Sequence, residues 1–523
     1  MEKKKNQAKL AIIPVITMFF MFAMISFVTN MAAPFGNIWK NEYEWSGMLG
    51  NMMNFLAYLI MGIPAGKMLV KIGYKKTALI ALAVGLIGVS VQYLSSLFGA
   101  DIATFSVSGK PVMLNFIIYL FGAFVCGFCV CMLNTVVNPM LNTLGGGGNR
   151  GNQLIQTGGT LNSLSGTLTP FLVGMLIGTI TKKTSMTDVA PLLFIAMGVF
   201  ALAFIILLVV KIPEPQHNVV TTGASKDKHS AWSFRHLVLG VIAIFFYVGI
   251  EVGIPSELNF FLSDKSESGA GILVNGALIG GAFAAIYWLC MLIGRFLGSL
   301  ISGKINTKTQ LTAVSSLAIV LLLIAIFIPK TSTISAPGFI YNPESKTVGI
   351  LVDNGMDEAN AKAYIAKPDV NALTPYLHDL TETFYEKDAI QKEFGFEMEK
   401  DMVFTTEQTV TLQNAISNKL QDSLKVPQIP LSVIFLILCG LCTSVMWGGI
   451  FNLAVEGLGK YTEQASGIFM MMVVGGGVMP LIQDFLAGVI GYMASYWLVI
   501  AMLAYILFYA LIGSKNVNRD IPV

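Results

Sequence analysis

Long runs of apolar residues, separated by short polar connections, occupy most of the chain. A transmembrane α-helix needs about 20 apolar residues to cross a ~30 Å hydrocarbon layer, and most of these runs reach that length. Twelve runs can be counted, lying near 10–34, 46–70, 77–98, 112–139, 153–180, 189–211, 236–262, 272–302, 309–329, 429–455, 463–491 and 494–513. The pattern predicts an all-α polytopic membrane protein with twelve transmembrane helices.

A polar segment at 212–235, containing Pro, Gly, Ser and Lys, separates the sixth run from the seventh. Such a composition is typical of linkers. We therefore expect an N-terminal half at 9–211 and a C-terminal half at 236–513, with six spans each and a cytoplasmic linker between them.

A second polar segment, at 330–428, interrupts the C-terminal half between spans 9 and 10. It is acidic, with 15 acidic and 9 basic residues between Lys330 and Ile429. Helical apolar spacing occurs at 357–366 and at 407–424, and the second stretch is expected to place Val410, Leu412, Ile416 and Leu420 near one face. This favours a small ordered cap over a disordered loop.

Composition and charge limit the possible partners and the orientation. With 54% apolar and only 12% charged residues, the chain is not an ordinary soluble protein, and its partner is the lipid bilayer. The net charge of +3 resides in basic connecting loops, most of which fall on one side of an even-numbered topology. We therefore expect a multi-pass protein of the cytoplasmic (inner) membrane, with both termini cytoplasmic and 330–428 extracytoplasmic. No nucleic-acid partner is expected.

Several enzyme classes lose support because their motifs are missing from the sequence. There is no GxxxxGK[ST] phosphate-binding loop, and the four histidines lie in loops or at a helix mouth. The six cysteines all lie in apolar runs, where packing explains them better than metal ligation. We predict that the protein is not an enzyme and has no catalytic residue, metal site or cofactor.

Uncharged polar residues cluster at membrane depth in the N-terminal half. Asn134 and Asn138 are one helical turn apart, on one face of span 4. Amides can donate and accept hydrogen bonds together, which suits a polyhydroxylated neutral ligand. The alternative is that they hold helices together. The other candidates in these spans are Asn30, Asn51, Gln156 and Asn162.

Charged residues at membrane depth are few. Glu251 in span 7 should face a cavity, because a lipid-exposed carboxylate is costly. It precedes Gly253 and Pro255, which predict a helix interruption. Asp484 in span 11 is a second candidate for ion coupling, and Arg295 in span 8 is a candidate for snorkelling or gating.

Several stretches together resemble the major facilitator superfamily, and within it the fucose–galactose–glucose family of sugar:proton symporters. They begin at Gly62-Ile-Pro-Ala-Gly66, Lys71-Ile-Gly73-Tyr-Lys75, Asn134-Thr-Val-Val-Asn138-Pro139, Tyr247-Val-Gly-Ile-Glu251, Ile293-Gly-Arg295 and Ile450-Phe-Asn452. The resemblance covers nearly all of the spans and excludes 330–428.

The resemblance implies two six-helix bundles with a monosaccharide site near the midplane, alternating access and import of a hexose-like sugar with a proton, by a monomer. Tyr247, Glu251, Trp447 and Asn452 then join the amides as substrate-binding candidates. Glu251 and Asp484 are the proton-coupling candidates. The gating candidates are Lys71, Gly73, Lys75 and Arg295.

The chain departs from this family at three acidic positions. Asn30 stands where the fucose–proton symporters have an aspartate, and Asn134 stands where they have a glutamate. Val70 replaces the aspartate of the superfamily's loop. These departures keep two alternatives open: an uncoupled sugar facilitator, and a non-transporting sensor or scaffold that uses the outer insert.

Overall fold

The computed structural model describes residues 2–31, 35–36, 38–39, 42–43, 46, 49–107, 109–177, 186–214, 229–264, 269–272, 276–385, 387–398, 402–518 and 520–522. Most of the predicted linker, at 215–228, lies outside these residues. Two compact units are distinguished. The first contains Met1–Glu257, Ala285–Ile326 and Ile434–Val523, and the second contains Leu258–Ala284 and Phe327–Val433. The boundaries predicted for the two bundles and the linker stay a prediction.

Five long helices form the N-terminal half. They are α1 (Glu2–Asn30), α2 (Leu49–Leu97), α3 (Leu114–Leu144), α4 (Gly148–Ile177) and α5 (Ala190–Val209). Helix α2 holds two spans, because Gly73 within it has non-helical angles (φ 83°, ψ 175°). A short hairpin of β1 (Ala103–Val107) and β2 (Lys110–Met113) follows α2. This half therefore supplies six spans.

The C-terminal half supplies six more spans, four of them as single helices. The first three are α6 (Arg235–Ser263), α7 (Gly276–Ile301) and α8 (Thr307–Phe327). Spans 10 and 11 are each divided, into α14 (Ser432–Thr443) with α15 (Met446–Ala454), and α16 (Thr462–Met471) with α17 (Gly475–Ile490). Helix α18 (Tyr492–Phe508) is the twelfth span. Among the described residues, ten helical segments are long and apolar enough to cross a membrane; α2 is counted once among them, and α4 is not included because it is less apolar.

The predicted helix interruption after Glu251 is wrong. Helix α6 continues through Gly253 and Pro255 to Ser263. Proline removes one backbone N–H, so a helix that is packed on its neighbours loses a single intrahelical hydrogen bond there and can continue.

The second unit contains the insert, which folds around an apolar core of its own. Its helices are α9 (Pro343–Asp353), α10 (Glu358–Ala366), α11 (Leu377–Phe384), α12 (Lys387–Phe394) and α13 (Thr406–Ser423). Strands β3 (Thr333–Ser335) and β4 (Gln428–Pro430) pair in antiparallel fashion where the segment begins and ends. The insert is thus ordered, as the sequence predicts.

The ends of the insert helices follow from local sequence. Asp357 caps α10 by accepting a hydrogen bond from the Ala359 backbone N–H. Thr405 and Gln408 form a capping box at the start of α13.

Leu412, Ile416 and Leu420 are fully buried, as expected, but Val410 is 52% exposed. The expectation for Val410 is wrong, because a position two residues before Leu412 lies about 200° around the helix from it.

Candidate functional site

Glu251 and Arg295 form a buried ion pair between helices α6 and α7. The Arg295 Nη2 atom lies 2.7 Å from Glu251 Oε1, and the two side chains are only 11% and 14% exposed. Removing two charges from water is costly, and it is offset only where the charges meet each other and further hydrogen bonds. The pair therefore marks a position at which each charge requires its partner.

Arg295 also reaches the N-terminal half of the chain. Its Nη1 group donates to Ser163 Oγ at 2.6 Å and, more weakly, to the Gly159 carbonyl at 3.4 Å, both on α4. Its Nε group donates to the carbonyl of Ser444, at the junction between α14 and α15. One guanidinium thus joins α4, α6, α7 and span 10, a role that its five fixed donors make possible.

Two aromatic residues extend the site from the ion pair toward α3. Tyr247 is fully buried one turn before Glu251, and its ring meets Trp447 edge to face with centroids 6.2 Å apart. The Trp447 Nε1 group donates to Asn138 Oδ1 at 3.0 Å. Glu251, Tyr247, Trp447 and Asn138 therefore form a continuous set of contacts across the two halves.

Four of the candidate amides donate hydrogen bonds to protein atoms in this conformation. Asn134 donates to the Tyr58 hydroxyl at 2.6 Å, and Asn138 donates to the Asn134 carbonyl at 2.9 Å. Gln156 donates to the Val445 carbonyl at 2.7 Å, and Asn162 to the Phe22 carbonyl at 2.8 Å. In this conformation these amides therefore connect helices. Each amide has both a hydrogen-bond donor and an acceptor, which is what binding of a sugar hydroxyl requires.

Asn30 and Asn51 are not brought to the ion pair by any of these contacts. Asn30 donates to the Ser26 carbonyl on its own helix at 2.8 Å, and it packs over Gly166 of α4. Asn51 is partly exposed in the first turn of α2.

A second group of polar contacts also joins the two halves, and we call it the polar clasp. It consists of Asn142, Asn152, Thr307, Gln310 and Asn452. Asn142 donates to Asn452 Oδ1 at 3.0 Å, and Asn452 in turn donates to Thr307 Oγ1 at 3.1 Å. Asn152 donates to Gln310 Oε1 at 3.2 Å. The structure thus places Asn452 in this clasp, away from the ion pair. The sequence does not single out Asn142, Asn152 and Gln310 as functional candidates, because an isolated amide near a helix end looks the same whether or not it contacts another helix.

The loop that joins the two spans of α2 is held by Glu214. The backbone N–H groups of Tyr74 and Lys75 donate to its two carboxylate oxygens at 2.8 and 2.9 Å. Lys75 Nζ donates to the carbonyls of Leu208 and Val210, both at 2.8 Å. Gly73 is required at this turn, because of its positive φ and because an added Cβ would lie 2.7 Å from a Glu214 oxygen. Lys71 is exposed.

Asp484, the second coupling candidate, is exposed on α17 and lies close enough to Glu257 of α6 for the two charges to interact. It makes no contact with the Glu251–Arg295 pair among the contacts described above.

Comparisons with known proteins agree on one family. The model of the Major Facilitator Superfamily matches residues 14–350. The chain is 28% identical over 505 residues to a glucose/galactose transporter of Brucella abortus biovar 1 (strain 9-941), covering 95% of this chain and 93% of that one. It is 27% identical over 354 residues to a putative glucose/galactose transporter of Helicobacter pylori (strain ATCC 700392 / 26695), covering 64% and 79%.

Solved structures give the same fold. A crystal structure of the E. coli fucose:proton symporter matches with a TM-score of 0.64 at 17% identity, over 97% of this chain and all of that one. A structure of the transporter FucP in the outward conformation matches with a TM-score of 0.65 at 17% identity over the same shares. The all-α fold predicted from the apolar runs is confirmed.

Proposed function

The chain belongs to the Major Facilitator Superfamily, and we propose that it is a secondary active transporter, not an enzyme, that imports a hexose-like monosaccharide by proton symport. The observation that carries the proposal is the Glu251–Arg295 pair, which lies within helices of the C-terminal half and is hydrogen-bonded to Ser163 of the N-terminal half. The relatives named as glucose/galactose transporters support the choice of sugar.

Proton coupling follows from the chemistry of the ion pair. When Glu251 takes up a proton it loses its charge, and its attraction for Arg295 falls to that of a neutral hydrogen bond. Arg295 is then free to strengthen or release its bonds to Ser163 and Gly159, which cross between the halves. The protonation state of Glu251 is thereby linked to the contact between the halves, as alternating access requires.

The substrate site is proposed to lie beside this pair. Trp447 and Tyr247 offer aromatic faces, and Asn138, Asn134 and Gln156 offer amides that a sugar hydroxyl can engage by displacing their present protein partners. Asn162 and Asn452 lie farther along α4 and α15, Asn30 lies at the end of α1 and Asn51 at the start of α2, and these four complete the candidate set. Gating is assigned to Arg295 and to the α2 loop with Lys71, Gly73 and Lys75.

The orientation is proposed from the basic loops. Both termini and the α2 loop face the cytoplasm, 330–428 faces outward, and the protein is a monomer in the cytoplasmic membrane.

Ser345 in the insert is exposed. A cysteine in its place should react with an impermeant thiol reagent in cells whose inner membrane is intact. Labelling that requires inner-membrane lysis would reverse the orientation.

Two alternatives are distinguished by a single transport experiment. The purified chain in proteoliposomes is offered a panel of labelled hexoses and 6-deoxyhexoses, with and without an inward proton gradient. Gradient-driven accumulation of one sugar supports symport, whereas equilibration without accumulation indicates an uncoupled facilitator. Failure to move or bind any sugar would leave the sensor or scaffold function, in which the insert binds a partner.

A further inference from the structure

Three buried polar atoms on helices α6 and α17 have no hydrogen-bond partner among the described residues. They are Glu257 Oε1 and both side-chain polar atoms of Gln483, Oε1 and Nε2. Glu257 is 2% exposed and Gln483 is 1% exposed. A buried polar atom without a partner destabilises the folded chain, and a buried carboxylate without a partner does so more strongly. Such a group points to a ligand that satisfies it.

Gln483 packs against the face of α6 that carries Glu257. Gly253 lies one helical turn before Glu257, so both positions face the same way. A Cβ added at Gly253 would lie 2.6 Å from Gln483 Oε1. The absence of a side chain at Gly253 therefore provides the space that the Gln483 amide occupies, with its oxygen next to the turn that carries the Glu257 carboxylate.

No cation of the described chain compensates Glu257. Within the part of the chain that the structure describes, the buried ion pair is that of Glu251 with Arg295, and Glu257 takes part in no salt bridge. The exposed Asp484 lies close enough to interact with it and adds a second negative charge. Tyr496 on α18 donates its hydroxyl to the Ile254 carbonyl at 3.2 Å, so that donor is already used.

We propose that Glu257 and Gln483 bind a sodium ion between α6 and α17. Carboxylate and amide oxygens are the ligands that hard cations prefer. One positive charge balances the buried Glu257 carboxylate, while the exposed Asp484 raises the local concentration of cations. The Gln483 amide nitrogen donates to a water molecule of the ion's coordination shell. The ion would join α6, which carries Glu251, to α17. This site is separate from the proposed proton and sugar site.

The test is a direct measurement of cation binding by the full-length protein, purified in detergent without sugar. The Tm is measured during titration with NaCl, LiCl, KCl, CaCl₂ or choline chloride at constant ionic strength. The expected result is a saturable rise in Tm with Na⁺ that choline does not give. Glu257→Gln should raise the apparent Kd for Na⁺ by about tenfold or more, since it removes the charged ligand. Gln483→Leu, which removes the amide oxygen, should weaken Na⁺ binding in the same direction.

Glu463→Gln is the matched control. Glu463 is a buried glutamate like Glu257 (5% exposed), and it lies at the opposite end of span 11 from Gln483. It should keep the Na⁺ response of the unaltered chain. Equal responses to Na⁺ and choline, a response to Ca²⁺ alone, or an unchanged Na⁺ response in Glu257→Gln would each overturn the proposal. If Glu257→Gln does not fold, the Gln483→Leu titration decides. Because no sugar is present, failure of sugar transport does not affect the result.

Discussion

Asn142 and Asn452 lie 310 positions apart in the chain, and their side chains meet in a buried hydrogen bond of 3.0 Å. Asn142 lies near the end of α3, and Asn452 lies in α15. Because Asn452 also donates to Thr307, the amide pair anchors the N-terminal half to two segments of the C-terminal half. Alternating access would require this contact to break and re-form in every cycle.

The first prediction concerns this clasp. Asn142→Ala should remove about 1 kcal/mol from the conformer in which the amides meet, shifting the balance of conformers about fivefold. The alkylation rate of single cysteines on the two faces of the membrane would report the shift. In a double-mutant cycle, Asn142→Ala and Asn452→Ala should couple by a similar energy. Strictly additive effects would show that the bond has no role in the conformational balance.

Glu251→Gln should separate coupling from movement of the sugar. Glutamine keeps the size of the side chain and an oxygen that Arg295 can bond, but it cannot carry a proton or a negative charge. We expect the variant to lose accumulation driven by a proton gradient and to retain sugar exchange in proteoliposomes. If Glu251→Gln accumulates sugar as well as the unaltered chain does, coupling lies elsewhere, and Asp484→Asn is the next variant to measure.

The amides give the third prediction. If Asn134, Asn138, Gln156 and Asn162 bond the sugar, each change to Ala should weaken its binding by about 1–3 kcal/mol. Equilibrium binding of labelled sugar measures the effect, and the Tm of each variant shows whether it is folded. Unchanged affinity in all four folded variants would leave them with the helix-connecting role that their present hydrogen bonds describe.

Local features of the fold could be predicted from the sequence because their causes are local. The spans follow from run length, and the insert helices follow from apolar spacing and from caps such as Asp357 and Thr405. Even there, Val410 was assigned to the wrong face, since its apolar character does not reveal that it lies far around the helix from Leu412.

The candidate site residues could be chosen from the sequence by residue type, but the contacts between them could not. Glu251 and Arg295 stand out in the sequence as charges within apolar spans, yet their ion pair depends on how α6 packs on α7. Substrate binding by Asn452 stays a prediction, while its hydrogen bond with Asn142 could not be foreseen from the sequence. Glu214 gave no signal, because its role depends on two backbone N–H groups that the turn at Gly73 exposes.

The insert offers a matched pair of substitutions in one helix. Ile416 is fully buried in α13, whereas Val410 is 52% exposed. Ile416→Ala should destabilise the insert by about 2–5 kcal/mol, and Val410→Ala should change its stability by about 0.5 kcal/mol or less. Hydrogen exchange of the α13 amides in the full-length protein measures both. Similar protection in the two variants would contradict the core described here.

The last prediction concerns the contact between α2 and α16, where two helices of different halves touch through glycines. A Cβ added at Gly467 would lie 2.6 Å from both the Gly62 carbonyl oxygen and the Gly66 Cα atom. These are backbone atoms, which cannot rotate away, so Gly467→Ala must move the helices apart at a cost of about 1–3 kcal/mol.

Gly198→Ala on α5 is the control, since no described atom lies within 4 Å of the added Cβ. It should leave the conformation unchanged and stabilise the helix slightly. Distances between spin labels on α2 and α16 should lengthen in Gly467→Ala alone. If its distance distribution matches that of Gly198→Ala, the close approach of these helices is not what holds this conformer together.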